Sequence, residues 1–181
     1  MLKKLMITTA LAVSMAVTPA LAEFYKKDIG QWEVFGVEKE GNKNKACVVS
    51  FLSRDGSAFQ LIKDLDDGEL YIWIRNHAWD IQQESDEYDG MVVIIEGDDN
   101  YVKSWPATYL LINKNTVAIR NINNALDFIV DFSKHKLLKI IMPDNISNIY
   151  LDLADSGKAM EALYECVKSD PAKNKKDNSS I

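Results

Sequence analysis

The alternation of apolar and polar residues predicts β-strands along most of this chain. In its first half, three stretches are dense in β-branched and aromatic residues: 46–53, 58–63 and 70–75. Turn sequences separate these stretches, namely Asp-Gly at 55–56 and the acidic segment 64–69. The same alternation predicts further strands at 29–35, 91–96, 101–112, 116–120, 137–142 and 148–153.

The period of the apolar residues changes twice, and each change predicts a helix, at about 121–135 and about 157–168. The first helix is expected to bury Ile122, Ala125, Leu126, Ile129 and Val130, and the second Ala159, Met160, Leu163, Cys166 and Val167. The predicted order is a series of strands, then a helix, two further strands and a second helix. This order favours an α+β fold. We expect a mostly antiparallel twisted sheet, or an open β-sandwich, with the two helices packed on it.

The first 22 residues have the pattern of a signal peptide. Lys3 and Lys4 precede an uncharged, mostly apolar stretch, and Pro19 then leads into Ala20-Leu21-Ala22. The apolar stretch is shorter than the roughly 20 residues of a spanning helix, so cleavage after Ala22 is favoured over an uncleaved anchor. A lipoprotein is excluded because no cysteine lies near this site. We therefore expect a periplasmic or secreted protein.

Removal of the leader leaves 159 residues, which suit one domain with a real core. We expect a single domain at 23–168 and a disordered basic tail at 169–181, since the tail has almost nothing to bury. No later run is long and apolar enough to insert into a membrane.

The charge of the domain limits its partners. The chain has a net charge of −6, but the leader and the tail are basic, so residues 23–167 carry −10. Such a surface repels phosphate backbones and anionic lipid, which argues against nucleic-acid or membrane binding. Solubility, or a basic partner, explains the acidity.

Two cysteines, Cys47 and Cys166, lie in the predicted domain. In an oxidising compartment an even count favours a disulfide between them. A reactive thiol or a metal site is less favoured, because the chain has no C-x-x-C and neither His77 nor His135 lies close to a cysteine in sequence.

Few residues suggest catalysis. His77 can pair with Asp80, but no G-x-S-x-G nucleophile accompanies them. Paired carboxylates such as Asp80 and Glu84 have no spacing that selects them for hydrolysis. We therefore predict no catalytic residue and no cofactor, and a hydrolase that uses carboxylates or His77 is the least favoured alternative.

Acidic clusters occur at 64–69, 84–89 and 96–99. Calcium requires 6–8 oxygen ligands in a regular arrangement, and these clusters lack it. They are interpreted as solvated turns, so no metal site is predicted.

Aromatic residues mark the strand at 70–75. Tyr71, Trp73 and Arg75 share one of its faces, Trp79 follows in the next turn, and the opposite face carries Leu70, Ile72 and Ile74. If the aliphatic face is the core, then the aromatic face is an exposed strip that suits a peptide, glycan or protein. If both faces are covered, the commoner arrangement for such a strand, the strip belongs to the core.

Short motifs resemble a known family. Trp32-Glu33-Val34, the strand that begins with Cys47-Val48-Val49, and the segment GKAMEAL at 157–163 are similar to small bacterial periplasmic proteins of the invasion-associated locus B type. The chain lacks the cysteine that those proteins carry just after W-x-V, and it lacks their further central pair. The resemblance implies an envelope or secreted protein without a defined enzyme activity.

Three functional hypotheses follow. The first is a non-enzymatic protein that binds a protein or an envelope component through Tyr71, Trp73, Arg75 and Trp79. The second is an inhibitor or immunity protein against a basic toxin or a lysozyme-like hydrolase. The third is the hydrolase described above.

Overall fold

Ten antiparallel strands of one sheet and two helices make up the computed structural model, which describes residues 21–39, 45–53, 56–81, 87–96, 101–142 and 146–170. The strands are β1 (Leu21–Ile29), β2 (Trp32–Lys39), β3 (Lys45–Leu52), β4 (Ala58–Asp64), β5 (Leu70–Arg75), β6 (Glu87–Glu96), β7 (Tyr101–Asn113), β8 (Thr116–Arg120), β9 (Leu137–Ile141) and β10 (Ile149–Asp152). The helices are α1 (Ala125–Lys134) and α2 (Ser156–Lys168). The predicted sheet-rich α+β class is confirmed.

The strand order is β1-β2-β3-β4-β5-β8-β7-β6-β9-β10. Strands β1 to β5 lie side by side in chain order and form a meander. The next three places in the sheet are taken by β8, β7 and β6, in the reverse of their chain order, and β9 and β10 follow. The sheet is not closed, and β1 and β10 are its edges. Near these edges, Gln31 Nε2 donates to the carbonyl of Asp152 at 2.8 Å, and Trp32 Nε1 donates to that of Ala154 at 2.7 Å. The first hairpin therefore contacts the chain that follows the last strand.

One face of the sheet, here called the inner face, packs against the helices. Residues paired across neighbouring strands share a face, so the register places Trp32, Val49, Leu61, Ile72, Ile119 and Tyr109 on this side. All six are at most 2% exposed. The opposite, outer face carries no helix among the described residues.

The buried face of helix α1 differs in part from the predicted one. Ile122 is buried, and Ala125 and Ile129 pack against the core, as predicted. Phe128 and Phe132 are fully buried, whereas Leu126 is 77% exposed and Val130 is 44% exposed. The Phe132 ring lies 5.8 Å from that of Trp32 on β2, and the Phe128 ring lies 5.4 Å from the Trp105 ring on β7. Two phenyl rings bury more apolar area than Leu126 and Val130 would, and they select the buried face.

The predicted disulfide between Cys47 and Cys166 is present, with 6.0 Å between the two Cα atoms. It joins β3 to α2 across 119 positions of sequence. Both cysteines are fully buried. The bond fixes the last helix onto the first half of the sheet.

The described structure continues across both predicted boundaries of the domain. Leu21 and Ala22, the last residues of the predicted leader, already belong to β1. At the other end Asp170, predicted to lie in the tail, is 5% exposed and accepts a hydrogen bond from Lys45 Nζ at 3.0 Å. The described structure therefore includes two residues beyond 168. Residues 1–20 and 171–181, which hold most of the predicted leader and tail, lie outside the described residues.

Neither of the two described helices has the length and apolar character that a membrane span requires.

Candidate functional site

Strand β5 separates two kinds of side chain. Leu70, Ile72 and Ile74 are at most 6% exposed and belong to the inner face. Tyr71, Trp73 and Arg75 lie on the outer face, where Tyr71 is half-buried and the other two are exposed. Of the two alternatives for this strand, the structure therefore has the one in which the aliphatic face is the core and the aromatic face is accessible.

Trp73 is the centre of this accessible area. It is 44% exposed, whereas the other three tryptophans of the chain are at most 8% exposed. Its partners in register are Gln60 on β4 and Ala118 on β8, whose shorter side chains leave the indole projecting from the sheet. We call Tyr71, Trp73, Arg75, Gln60 and Ala118 the Trp73 surface.

An apolar row continues from the Trp73 surface across the sheet. Tyr71 lies opposite Ile62, Ile62 opposite Val48, and Val48 opposite Phe35. Val48 is only 5% exposed although it lies on the outer face, because its larger neighbours Phe35 and Ile62 flank it. This partly buried apolar row ends at Tyr71, two positions before the exposed indole on β5.

Tyr71 connects the Trp73 surface to the acidic turn, residues 64–69, that precedes β5. Its hydroxyl lies 2.8 Å from Glu69 Oε2 and 3.1 Å from Asp67 Oδ2. These hydrogen bonds, chiefly the one to Glu69, together with burial raise the pKa of Tyr71 above its usual value of 10.0. The phenol stays protonated at neutral pH and holds two carboxylates beside the aromatic strip.

The acidic turn is held by hydrogen bonds of its own. Asp64 Oδ1 accepts from the backbone N–H groups of Asp66 at 2.7 Å and Asp67 at 3.2 Å. Asp67 Oδ1 accepts from the N–H of Glu69 at 2.7 Å, and Asp66 Oδ2 accepts from the N–H of Lys45 at 3.1 Å. These contacts, of which the three within the turn are of the Asx type, fix the conformation of the loop.

Trp79 does not reach the Trp73 surface, which corrects the sequence-based assignment of this residue. It is 8% exposed and belongs to the hydrophobic core. Backbone hydrogen bonds from Asn76 to Asn115 and from Ile81 to Lys114 tie the segment around it to the turn between β7 and β8. These non-local bonds direct the indole inward, and its Nε1 has no hydrogen-bond partner among the described residues.

The remaining candidates for chemistry occupy separate places. His77 is exposed and lies beside the turn at Gly56. His135 follows α1, with its Nε2 3.7 Å from Asp131 Oδ1, and Lys103 Nζ donates to the other oxygen of Asp131 at 2.7 Å. Within the described part of the chain, no group of three or more His, Cys, Asp or Glu residues is arranged to hold a metal.

A second apolar area on the outer face was missed by the sequence interpretation. Met91 on β6 is 39% exposed and lies opposite Ile141 on β9, which is 37% exposed. Single exposed apolar residues are common on proteins, and only the non-local pairing of β6 with β9 brings these two together.

Glu84, proposed as a carboxylate partner of Asp80, lies outside the described residues.

Comparisons of the chain with protein-family models, with curated proteins and with solved structures found no match.

Proposed function

We propose that this chain is a non-enzymatic protein of the bacterial envelope, periplasmic or secreted, that binds another protein through the Trp73 surface. The observation that carries the proposal is the 44% exposure of Trp73 in a protein that buries its other three tryptophans. Exposed tryptophans are costly to hydrate and are enriched among the residues that dominate binding energy at protein interfaces. Tyr71 and Arg75, the two other residue types enriched there, flank it on the same face.

Two observations and one resemblance support the proposed location. The leader pattern of residues 1–22 is that of an exported protein. The buried disulfide between Cys47 and Cys166 is a bond that persists in oxidising compartments. The resemblance to the invasion-associated locus B type stays a prediction and points to the same compartment.

The proposal gives no catalytic role to the histidines. His135 lies beside Asp131 at the end of α1, where a positive charge interacts favourably with the helix dipole. His77 lies beside Gly56 at a turn and belongs to no described group of three or more potential metal ligands.

Chemical cross-linking in the native envelope fraction tests the proposal. The exported protein, a Trp73→Ala variant and a matched Tyr150→Ala variant are compared after purification of the cross-linked products. Tyr150 is a good control because it is an aromatic residue of the same sheet and is 60% exposed. We expect Trp73→Ala to lose a partner that Tyr150→Ala retains. Identical products from all three proteins, or no product from any, would contradict the assignment.

An inhibitor or immunity protein is the second candidate. The charge of −10 over residues 23–167 favours it, because basic toxins and lysozyme-like hydrolases are attracted to an acidic protein. The purified protein should then reduce the activity of a basic peptidoglycan hydrolase at equimolar concentration. Full hydrolase activity in its presence would count against this candidate.

A further inference from the structure

The Trp73 surface and the acidic turn form one contiguous area. Tyr71 precedes Trp73 by two positions on the same strand face, and its hydroxyl reaches Asp67 and Glu69. Both carboxylates are exposed. An apolar indole and two fixed negative charges are therefore presented on the same side of the molecule.

Among the described residues, the lysines nearest to this area balance its negative charge only in part. The acidic turn contains four carboxylates, at residues 64, 66, 67 and 69. The ammonium of Lys63 donates to the carbonyl of Gly68, and that of Lys45 pairs with Asp170. Arg75 lies at the opposite end of β5. On the outer face, Arg120 lies two positions after Ala118, toward the Tyr71 end of β5, and its guanidinium pairs with Glu87.

An indole beside carboxylates suits a cationic side chain. Ammonium and guanidinium groups bind to the face of an aromatic ring and to carboxylates at the same time. The molecule uses this chemistry internally, since Lys103 Nζ lies 5.0 Å from the centre of the Trp105 ring and pairs with Asp131. An acidic partner would be repelled by the turn, and the charge of −10 over residues 23–167 attracts a basic one from a distance.

We infer that the Trp73 surface binds a lysine- or arginine-bearing segment of its protein partner, with one basic side chain over the Trp73 indole and another at Asp67 and Glu69. This inference rests on the proposed function and specifies the chemistry of the partner. Tyr71 is the positioning residue, because its hydroxyl holds the two carboxylates next to the strip.

A peptide of alternating lysine and glycine, labelled with fluorescein, is the probe, and a glutamate–glycine peptide is its counterpart. Binding to the exported full-length protein is measured by anisotropy. Acrylamide quenching of tryptophan fluorescence reports on the site, because Trp73 is the one exposed indole among the four. We expect the lysine peptide to bind and to shield Trp73 from acrylamide, and the glutamate peptide to do neither.

Charge-neutral variants locate the site. Asp67→Asn with Glu69→Gln removes both charges and leaves one acceptor oxygen on each side chain, and it should weaken binding by about fivefold or more. Trp73→Ala should weaken it by about threefold. The matched control is Asp28→Asn with Glu161→Gln, which removes two exposed charges from β1 and α2 and should change binding by less than about twofold.

Three results would overturn the inference. One is equal weakening by the two double variants, which indicates attraction to the overall charge alone. Another is failure of the lysine peptide to bind, or equal binding of the glutamate peptide. The third concerns a variant with Lys173→Gln, Lys175→Gln and Lys176→Gln, measured without peptide. If acrylamide quenches Trp73 more strongly in this variant, then the C-terminal segment of this chain is what covers the Trp73 surface. If cross-linking still captures a Trp73-dependent partner, then the proposed function stands and only the chemistry assigned to that partner is wrong.

Discussion

The Sγ of Cys166 lies 2.9 Å from the position that a Cβ atom would take at Gly36. Gly36 is the β2 partner of Cys47 in register, so the bare backbone at this position leaves room for the disulfide. The same vacant position lies 2.5 Å from a ring atom of Phe24 on β1. Any side chain at residue 36 therefore has to displace both the sulfur and the phenyl ring.

Gly36→Ala should lower the free energy of unfolding by about 1–3 kcal/mol, the usual effect of overpacking a core. Urea unfolding followed by circular dichroism measures it. In a Phe24→Leu background the loss should be smaller, because the leucine can yield to the new methyl group. Equal losses in both backgrounds would show that Phe24 does not restrict this position.

Replacement of Cys47 and Cys166 by alanine should lower the free energy of unfolding by about 4 kcal/mol, an upper figure for a loop of this length. The loop spans 119 positions, and its closure removes many conformations from the unfolded chain. Urea unfolding with and without reductant measures the effect, and the double-alanine variant should not respond to reductant. Mass spectrometry shows whether the disulfide is fully reduced. If the midpoint of urea unfolding is unchanged after complete reduction, then the prediction is contradicted.

The ion pair between Lys45 and Asp170 should matter more than an exposed one. Its side chains are 11% and 7% exposed, so Lys45→Met removes the ammonium from beside a carboxylate that is still buried. We expect a loss of about 3 kcal/mol in the free energy of unfolding. Lys158→Met is the matched control, because Lys158 and Asp155 are 72% and 42% exposed, and it should cost less than about 1 kcal/mol. Equal losses would mean that burial of the pair is unimportant.

Glu165 should make stability depend on acid pH. Hydrogen bonds from Lys27 and then from Tyr25 lower the pKa of Glu165 below its usual value of 4.5. A lowered folded-state pKa stabilises the protein above the unfolded-state value, and this stabilisation is lost as pH falls through the folded-state value. The difference in Tm between the native protein and Glu165→Gln should therefore shrink as the pH falls from 6 to 3. A difference that is constant over this range would rule out the contribution of Glu165.

Local patterns predicted nine of the ten strands and both helices, because alternation and helical spacing are properties of neighbouring residues. Strand β1 was missed, because its sequence is mostly polar. The pairing of Cys47 with Cys166 was predictable because the domain has two cysteines. The buried face of α1 was not, since the contacts of Phe128 and Phe132 with β2 and β7 decide it.

The candidate site was predicted only in part, because contacts between segments that are distant in sequence decide the rest. The alternation along β5 places Trp73 correctly relative to its neighbours, but only the burial of the opposite face makes it accessible. Trp79 follows a strand end, where the direction of the chain depends on hydrogen bonds to the turn at 114–115. The pairing of β5 with β8 and of β6 with β9 joins segments that are distant in sequence, and no local pattern encodes it.

The position of the disulfide also sets an order in time. A chain exported from its N-terminus, as the proposed leader requires, brings Cys47 across the membrane well before Cys166, which lies in the last described element. Cys47 then remains a free thiol while the sheet assembles. The two cysteines can be oxidised to the disulfide only after α2, which carries Cys166, has crossed the membrane. The disulfide therefore forms late, when the rest of the fold is nearly complete. A chain released before α2 lacks the disulfide and is available for degradation.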